Sequence, residues 1–378
     1  MKTMNKASGN HKVELIKRKP TSLPDKMDPN LREPLARVLS VKRMSGTKEE
    51  ARFRAWLVRR YSKYLQMVDE AGNLWFSIGI SRTLFAAHCD TVHHTTGNNN
   101  FYVENDIVYS LEECLGADDG AGVAILCYML SNGIPGTYLF TTGEEIGGVG
   151  ATYISDNFPD LLSEFDRSIC FDRAGTEEII TVQAGTRCAS SEFAEALSVA
   201  FQDQGLMYVE STHGVYTDNK EWIAHIPECV NLSVAYKSQH GSQEHLDLSH
   251  LTMLALAAVQ IDWESLPTVR TPVEEPEYTF AGYTNYAYDK QYDKQYGTLE
   301  KQRVSQVEEA IFEWYWGRKL PLTGLLVSRF SKTTGIPESE VSAYIEIHRL
   351  KEPQVDGLDL SQMDDEILDD ILALVVKQ

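Results

Sequence analysis

The sequence predicts an α/β protein in which helices cover a largely buried sheet, followed by a small helical module. Three observations point there. First, from Leu65 to about Leu266, short apolar runs alternate with helical stretches, as expected for a sheet buried beneath helices. Second, the 378 residues are 43% hydrophobic and 24% charged. That is ordinary globular composition, and at about 100–200 residues per domain it suits one large domain and one small one. Third, the alternation stops after Trp263, where SLPTVRTPVEEPE (265–277) brings three prolines.

Residues 1–30 are basic and contain proline, and are expected to form a loosely held arm. Residues 31–265 are the expected main domain. Helical spacing opens it, with Leu35, Val38 and Leu39, then Phe53, Leu57 and Tyr61. The apolar runs LWFSIGI (74–80), TLFAAH (83–88), GTYLFTT (136–142), RSICF (167–171) and CVNLSVAY (229–236) read as strands. Stretches 119–131, 191–204 and 249–264 read as helices. Residues 266–299 are an expected strap or linker, with six tyrosines between 278 and 296 and the repeat YDKQYDKQY. Residues 300–378 read as three or four short helices, among them VSQVEEAIFEWYW and SEVSAYIEIHRL. Their tail from Pro353 carries seven acids and one lysine. The stretch 324–350 loosely resembles a helix-turn-helix, but its second helix has few bases, so a packing module is the favoured reading.

The net charge is −20. A nucleic-acid binder would need a basic footprint, so no nucleic-acid partner is expected. Residues 1–60 carry 16 Lys/Arg against six Asp/Glu, so the acidic excess lies beyond them. Solvated surface is the plain explanation; cation binding by some of those carboxylates is the sharper one. No segment reaches the roughly 18 consecutive apolar residues of a membrane helix, and the first twenty residues lack an apolar signal core. A soluble, cytoplasmic protein is therefore expected. The six cysteines form no C-x-x-C pair and read as buried free thiols.

Five places share one feature: an apolar run ends in acidic or His residues. In α/β sheets, ligands gather beyond the carboxyl ends of strands, so residues far apart in sequence can converge. FAAHCDT brings His88 and Asp90, whose i, i+2 spacing puts both on one strand face. LGADDGAG brings Asp118 and Asp119 before a helix start, where capping accounts for one aspartate but not both. FTTGEE brings Glu144 and Glu145, adjacent carboxylates that repel unless a cation or proton intervenes. SICFDRAGT brings Asp172. VAYKSQHGSQEHLDLSHL brings His240, with His245 and His250 as nearby alternatives. Each alone is explained as well by a solvated strand end, a cap or a loop.

Taken in order, AHCDT, GADDGAG, TTGEE, FD and QH-x-x-x-E resemble the co-catalytic zinc exopeptidase superfamily, over roughly 31–265. That resemblance implies a three-layer α/β/α sandwich with a mixed, mostly parallel central sheet. It implies two Zn2+ per chain, with Co2+ or Mn2+ also suiting such donors. His88 and Asp172 would be terminal ligands of one metal, Glu145 and His240 of the other, and Asp118 would bridge them. The peptide between Asp118 and Asp119 is often cis in relatives. Asp90 would orient His88, and Glu144 would act as general base and acid. Only 68 residues separate Asp172 from His240, too few for the inserted lid domain of some members, so the compact, aminopeptidase-like branch is the better match. There, GVYTDNKEW (214–222) resembles the loop before the last ligand. It offers His213 and Tyr216 as contacts to substrate and Asp218 as a supporting residue.

The implied activity is hydrolysis of short peptides by an aminopeptidase or di-/tripeptidase. The alternatives are an amidohydrolase or deacylase acting on N-acylated small molecules, a glutaminyl cyclase-like enzyme, and a non-catalytic binding protein on the same fold. The sequence fixes neither the oligomeric state nor the role of residues 266–378. Covering the site mouth is one role open to them.

Overall fold

A computed structural model describes residues 18–272 of the chain. The helix-turn-helix-like stretch, the acidic tail, the module expected at 300–378, and most of the expected arm and strap lie outside the described residues. The strands that matter here are β1 (Leu65–Val68), β2 (Leu74–Ile78), β3 (Thr83–His88), β4 (Phe101–Glu104), β5 (Ile107–Ser110) and β6 (Gly136–Thr141). They continue with β7 (Arg167–Arg173), β8 (Glu178–Ile180), β9 (Val209–Ser211), β10 (Glu228–Ser233), β11 (Tyr236–Lys237) and β12 (His245–Asp247). The helices are α1 (Pro29–Leu39), α2 (Lys48–Arg60), α3 (Ala117–Ser131), α4 (Val149–Asn157), α5 (Ser191–Asp203) and α6 (Leu248–Ala258).

Eight strands form the central sheet in the order β9-β8-β10-β7-β3-β6-β2-β1. Its middle four, β10-β7-β3-β6, run parallel to one another. β2 and β1 add antiparallel at one side, and β8 pairs antiparallel with β10 at the other. The sheet is thus mixed and mostly parallel at its centre.

Alternation along β3 explains the layers. Phe85 and Ala87 join the larger apolar cluster, with residues of α1, α3, α5 and α6. Leu84 and Ala86 point the other way, into a second cluster with Ala151 and Ile154 of α4 and with Trp222. Side chains alternate across a strand, so a run that is apolar at every position needs cover on both faces. That makes the α/β/α sandwich. α3 has no polar face: Ala117 to Leu130 is buried throughout, because α1, β3, β7 and α6 all pack on it.

Two differences from the sequence expectation concern short pieces. β11, β12, β5 and β4 form a separate four-stranded sheet in that order, although only the first lies in a recognised apolar run. The others are too short and too polar to stand out. Thr21 to Asp28, assigned to a loose arm, is docked. Leu23 and Met27 are buried in the main cluster, and the Thr21 amide donates to the Phe101 carbonyl at 3.1 Å. Two spaced apolar residues suffice to hold that stretch.

The described residues end at the pole opposite the candidate site. Glu228, the first residue of β10, accepts from the amides of Val269 (2.7 Å) and Arg270 (2.9 Å). Arg167, the first residue of β7, donates to the Leu266 carbonyl at 3.1 Å.

Gly122 marks a close helix–sheet contact. A methyl there would overlap the Phe171 carbonyl oxygen and the Asp119 carboxylate. Gly122→Ala is expected to cost about 1–3 kcal/mol by overpacking, read as a lower urea midpoint. Gly241→Ala, with nothing within 4 Å, is expected to leave that midpoint in place.

Candidate metal centre

The four central strands end together, and the sequence-predicted residues follow from those ends. His88 closes β3, Asp172 is the last residue but one of β7, Glu144 and Glu145 follow β6, and His240 follows β10 on the β11–β12 hairpin. Asp118 enters from the first turn of α3, where it and Asp119 depart from helical backbone and are joined by a cis peptide.

Asp118 is the centre of the arrangement. Its Oδ1 lies 3.2 Å from His88 Nε2, and its Oδ2 lies 3.2 Å from His240 Nε2. Around the first oxygen, Asp172 Oδ1 is 3.7 Å from His88 Nε2. Around the second, Glu145 Oε2 is 3.2 Å from His240 Nε2. Three three-residue groups present ligand atoms within 4.8 Å of one another: one is His88/Glu144/Glu145, and the other two, His88/Asp118/Asp172 and Asp118/Glu145/His240, meet at Asp118. These last two share one carboxylate and use one oxygen each. Glu144 stands beside both, its Oε2 4.0 Å from His88 Nε2.

The surroundings hold each group in place. The Asp119 carboxylate accepts the His88 amide (3.2 Å) and the Gly122 amide (3.0 Å), tying β3 to α3. Asp172 is gripped on both oxygens, by the Thr217 hydroxyl at 2.6 Å and the Tyr236 hydroxyl at 3.1 Å. The Asn231 amide brackets its backbone, accepting the Asp172 N–H at 2.9 Å and donating to its carbonyl at 2.8 Å. Glu50, buried beside Arg54, accepts the Thr142 hydroxyl at 2.7 Å and braces the start of the Glu144–Glu145 turn.

Asp90 contacts both His88 and the Glu144–Glu145 turn. His88 Nδ1 is 3.1 Å from the Asp90 backbone carbonyl and 3.6 Å from its carboxylate. A carbonyl partner on Nδ1 leaves Nε2 turned toward the cluster. The Asp90 carboxylate itself takes the amides of Glu144 and Glu145, both at 3.2 Å, and so shapes their turn.

Burial pushes the Glu144 carboxyl well above the usual carboxylate range; the charge of His88 opposes this, and nearby Asp172 adds to it. Burial raises Glu145 to about 7, against the hydrogen bond from His240. His240 is raised to about 11, chiefly by Asp118 and then Glu145. For Asp118, burial works upward, but His240 and His88 outweigh it and bring the group down.

The three residues offered from the 213–218 region separate. Asp218 is buried near the cluster and accepts from the Thr141 hydroxyl; burial raises it to about 7. The Tyr216 hydroxyl is buried against Gly148 and lies near Asp218, Glu221 and Glu144. His213 is exposed just past β9, where its charge acts on Glu178. Among the described residues no hydrogen bond or ion pair joins it to the cluster. The chain there is still closing the sheet edge, three residues before Tyr216 turns inward. His250 contacts the Tyr208 hydroxyl at 3.1 Å, and His245 stacks on Tyr109, so neither competes with His240.

No family model and no curated protein matches the chain. Among solved structures, aminopeptidase PepT from Bacillus cereus superposes with a TM-score of 0.53 at 16% identity, over 62% of this chain and 98% of that one. A tripeptidase from Staphylococcus aureus superposes with a TM-score of 0.50 at 15% identity, over 62% of this chain and 97% of that one. The chain has their fold. The shared share is close to the span of the described domain, so the α/β sandwich is a known scaffold.

The grip on Asp172 can be tested directly. Thr217→Val and Tyr236→Phe each remove one donor from a buried carboxylate. Each is expected to lower the unfolding free energy by about 1–3 kcal/mol. Because both act on one group, the double variant should deviate from additivity; urea melts of the three variants measure it.

Proposed function

We propose that the chain is a zinc-dependent exopeptidase of the co-catalytic type, an aminopeptidase or di-/tripeptidase acting on short peptides, with two Zn2+ per chain. One observation carries this reading: Asp118 offers one oxygen to the His88 group and the other to the His240 group. A second tests the fit. Glu145 Oε1 is buried with no hydrogen-bond partner, a costly arrangement for a carboxylate oxygen that a cation would relieve. Each group offers imidazole nitrogen and carboxylate oxygen, a donor set that suits zinc. The named activities of the two structurally similar proteins, an aminopeptidase and a tripeptidase, agree with the reading.

His88 and Asp172 would hold one zinc and Glu145 and His240 the other, with Asp118 between them. When bound, the zinc ions would supply Lewis acidity to the attacking water and the scissile carbonyl. The chain's own groups do the rest. Glu144 stands at the edge of the cluster and is not needed as a ligand. It takes a proton from the attacking water and returns it to the leaving amine. Asp90 fixes the turn that aims Glu144, and Asp218 stands behind it. The Tyr216 ring borders the site at Gly148, where it would meet substrate.

Glu144→Gln should retain zinc by elemental analysis and lose turnover by about 10²–10⁴-fold. Asp118→Ala should lose zinc itself. On a panel of short peptides, cleavage is expected with free amino termini and not with acetylated ones. Activity confined to N-acylated substrates would replace the peptidase with a deacylase. Zinc uptake without turnover on either set would leave a binding protein.

A further inference from the structure

Glu244 was part of the QH-x-x-x-E pattern but had no role assigned to it. It is 1% exposed, and its two oxygens accept four consecutive backbone amides. Oε2 takes Leu115 at 2.7 Å and Gly116 at 3.0 Å. Oε1 takes Ala117 at 2.8 Å and Asp118 at 3.0 Å. These are the amides that a helix start leaves without intrahelical partners, and Gly116 and Asp118 both depart from helical backbone. The N-cap residue, Gly116, has no side chain to cap that end, and within α3 Asp119 accepts only the later Gly122 amide. The acceptor comes instead from the β11–β12 hairpin, 126 residues further along from Asp118.

The same hairpin carries His240. Its residue has φ +65, a left-handed conformation that a non-glycine residue adopts only when its surroundings hold it. Glu244 closes the turn that follows, donating its own amide to the Gly241 carbonyl at 3.0 Å. So a single buried carboxylate joins the turn bearing His240 to the backbone bearing Asp118, whose side chains are 3.2 Å apart.

We propose that Glu244 is the positioning residue of the second metal half-site: it clamps the Asp118 backbone to the His240 hairpin and sets the distance between those two ligands. The inference rests on the proposed metal centre. The His88 half shares Asp118 but depends on this clamp less. Its other two ligands, His88 and Asp172, lie in neighbouring strands and are held by Asp119, Thr217 and Tyr236. The His240 half has both Asp118 and its hairpin tied to Glu244, so losing Glu244 should weaken that site more than the other.

Glu244→Gln tests it. The amide keeps one acceptor oxygen and turns an NH2 toward two of the four N–H groups. Titration of the metal-free full-length chain with ZnCl2 should show two tight sites in the wild type. In the variant, the two affinities should separate: one site weaker by about 10–100-fold, the usual effect of removing a partner behind a ligand, and the other changed less. Cobalt substituted for zinc should show the larger change in visible bands at the weakened site.

Glu228→Gln is the matched control. Glu228 is equally buried and accepts the amides of Ser190, Val269 and Arg270, but at the far pole of the sheet. It should lower the melting temperature without changing zinc affinity. If Glu244→Gln behaves as Glu228→Gln does, the proposal is overturned.

Should Glu244→Gln not fold, hydrogen exchange on the metal-free wild type decides. Protection of the amides of 115–118 supports a preformed clamp, and exchange at the rate of an open loop overturns it. A wild type that takes up no zinc while those amides stay protected would sink the metal centre and leave the clamp standing.

Discussion

The candidate site depends on one constraint: several carboxylates must be kept within reach of one another away from bulk water. Like charges about 4 Å apart repel by about 4 kcal/mol at the effective dielectric of about 20 that suits protein sites. Asp118 sits where that repulsion would be worst, and its neighbours answer it. Two imidazoles flank it, one on each oxygen. Backbone amides are spent on the acids nearby: Glu144 and Glu145 give theirs to Asp90, and residues 115–118 give theirs to Glu244. Hydroxyls of Thr217 and Tyr236 cover Asp172. A fold that spends so many donors on closely spaced acids is one in which that spacing has a use.

The central sheet makes the convergence cheap. Neighbouring strands lie about 4.8 Å apart, and β10, β7, β3 and β6 are parallel neighbours. Residues just past their carboxyl ends therefore fall within a few side-chain lengths, although His88 and His240 are far apart in sequence. The apolar strands fix position, and the polar loops that follow carry chemistry. This division explains why the strands are buried on both faces while the residues that follow them are acidic or His.

How much of this the sequence showed follows from how each residue is held. The strands β3, β6, β7 and β10 were legible because two covered faces demand continuous apolar runs. The cluster was legible because the end of each run carried an ionisable residue, in an order shared with a known superfamily. The four-stranded sheet was not, since its strands are short and half-polar. His213 was chosen by proximity in sequence to a recognised loop, and a loop can bring Tyr216 and Asp218 inward while leaving a residue just before it at the sheet edge. Thr217 and Tyr236 gave no signal at all. A hydroxyl that serves a distant carboxylate looks like any other until the fold brings them together. Glu244 stood in the pattern, but only the structure shows that it takes four amides.

The two halves of the cluster are not equivalent. His88 is 1% exposed and belongs to a central strand; His240 is 52% exposed and belongs to a hairpin. The rigid half is fixed by the sheet, whereas the open half is fixed by the hairpin and its Glu244 clamp. Ile146 and Val149, which are 42% and 46% exposed, follow the Glu144–Glu145 turn. On the proposed function, a peptide would meet the open half first, and these apolar side chains left in water would give a substrate side chain something to pack against. On that reading the closed half would set where the chemistry occurs, and the open half and its rim would set what can reach it.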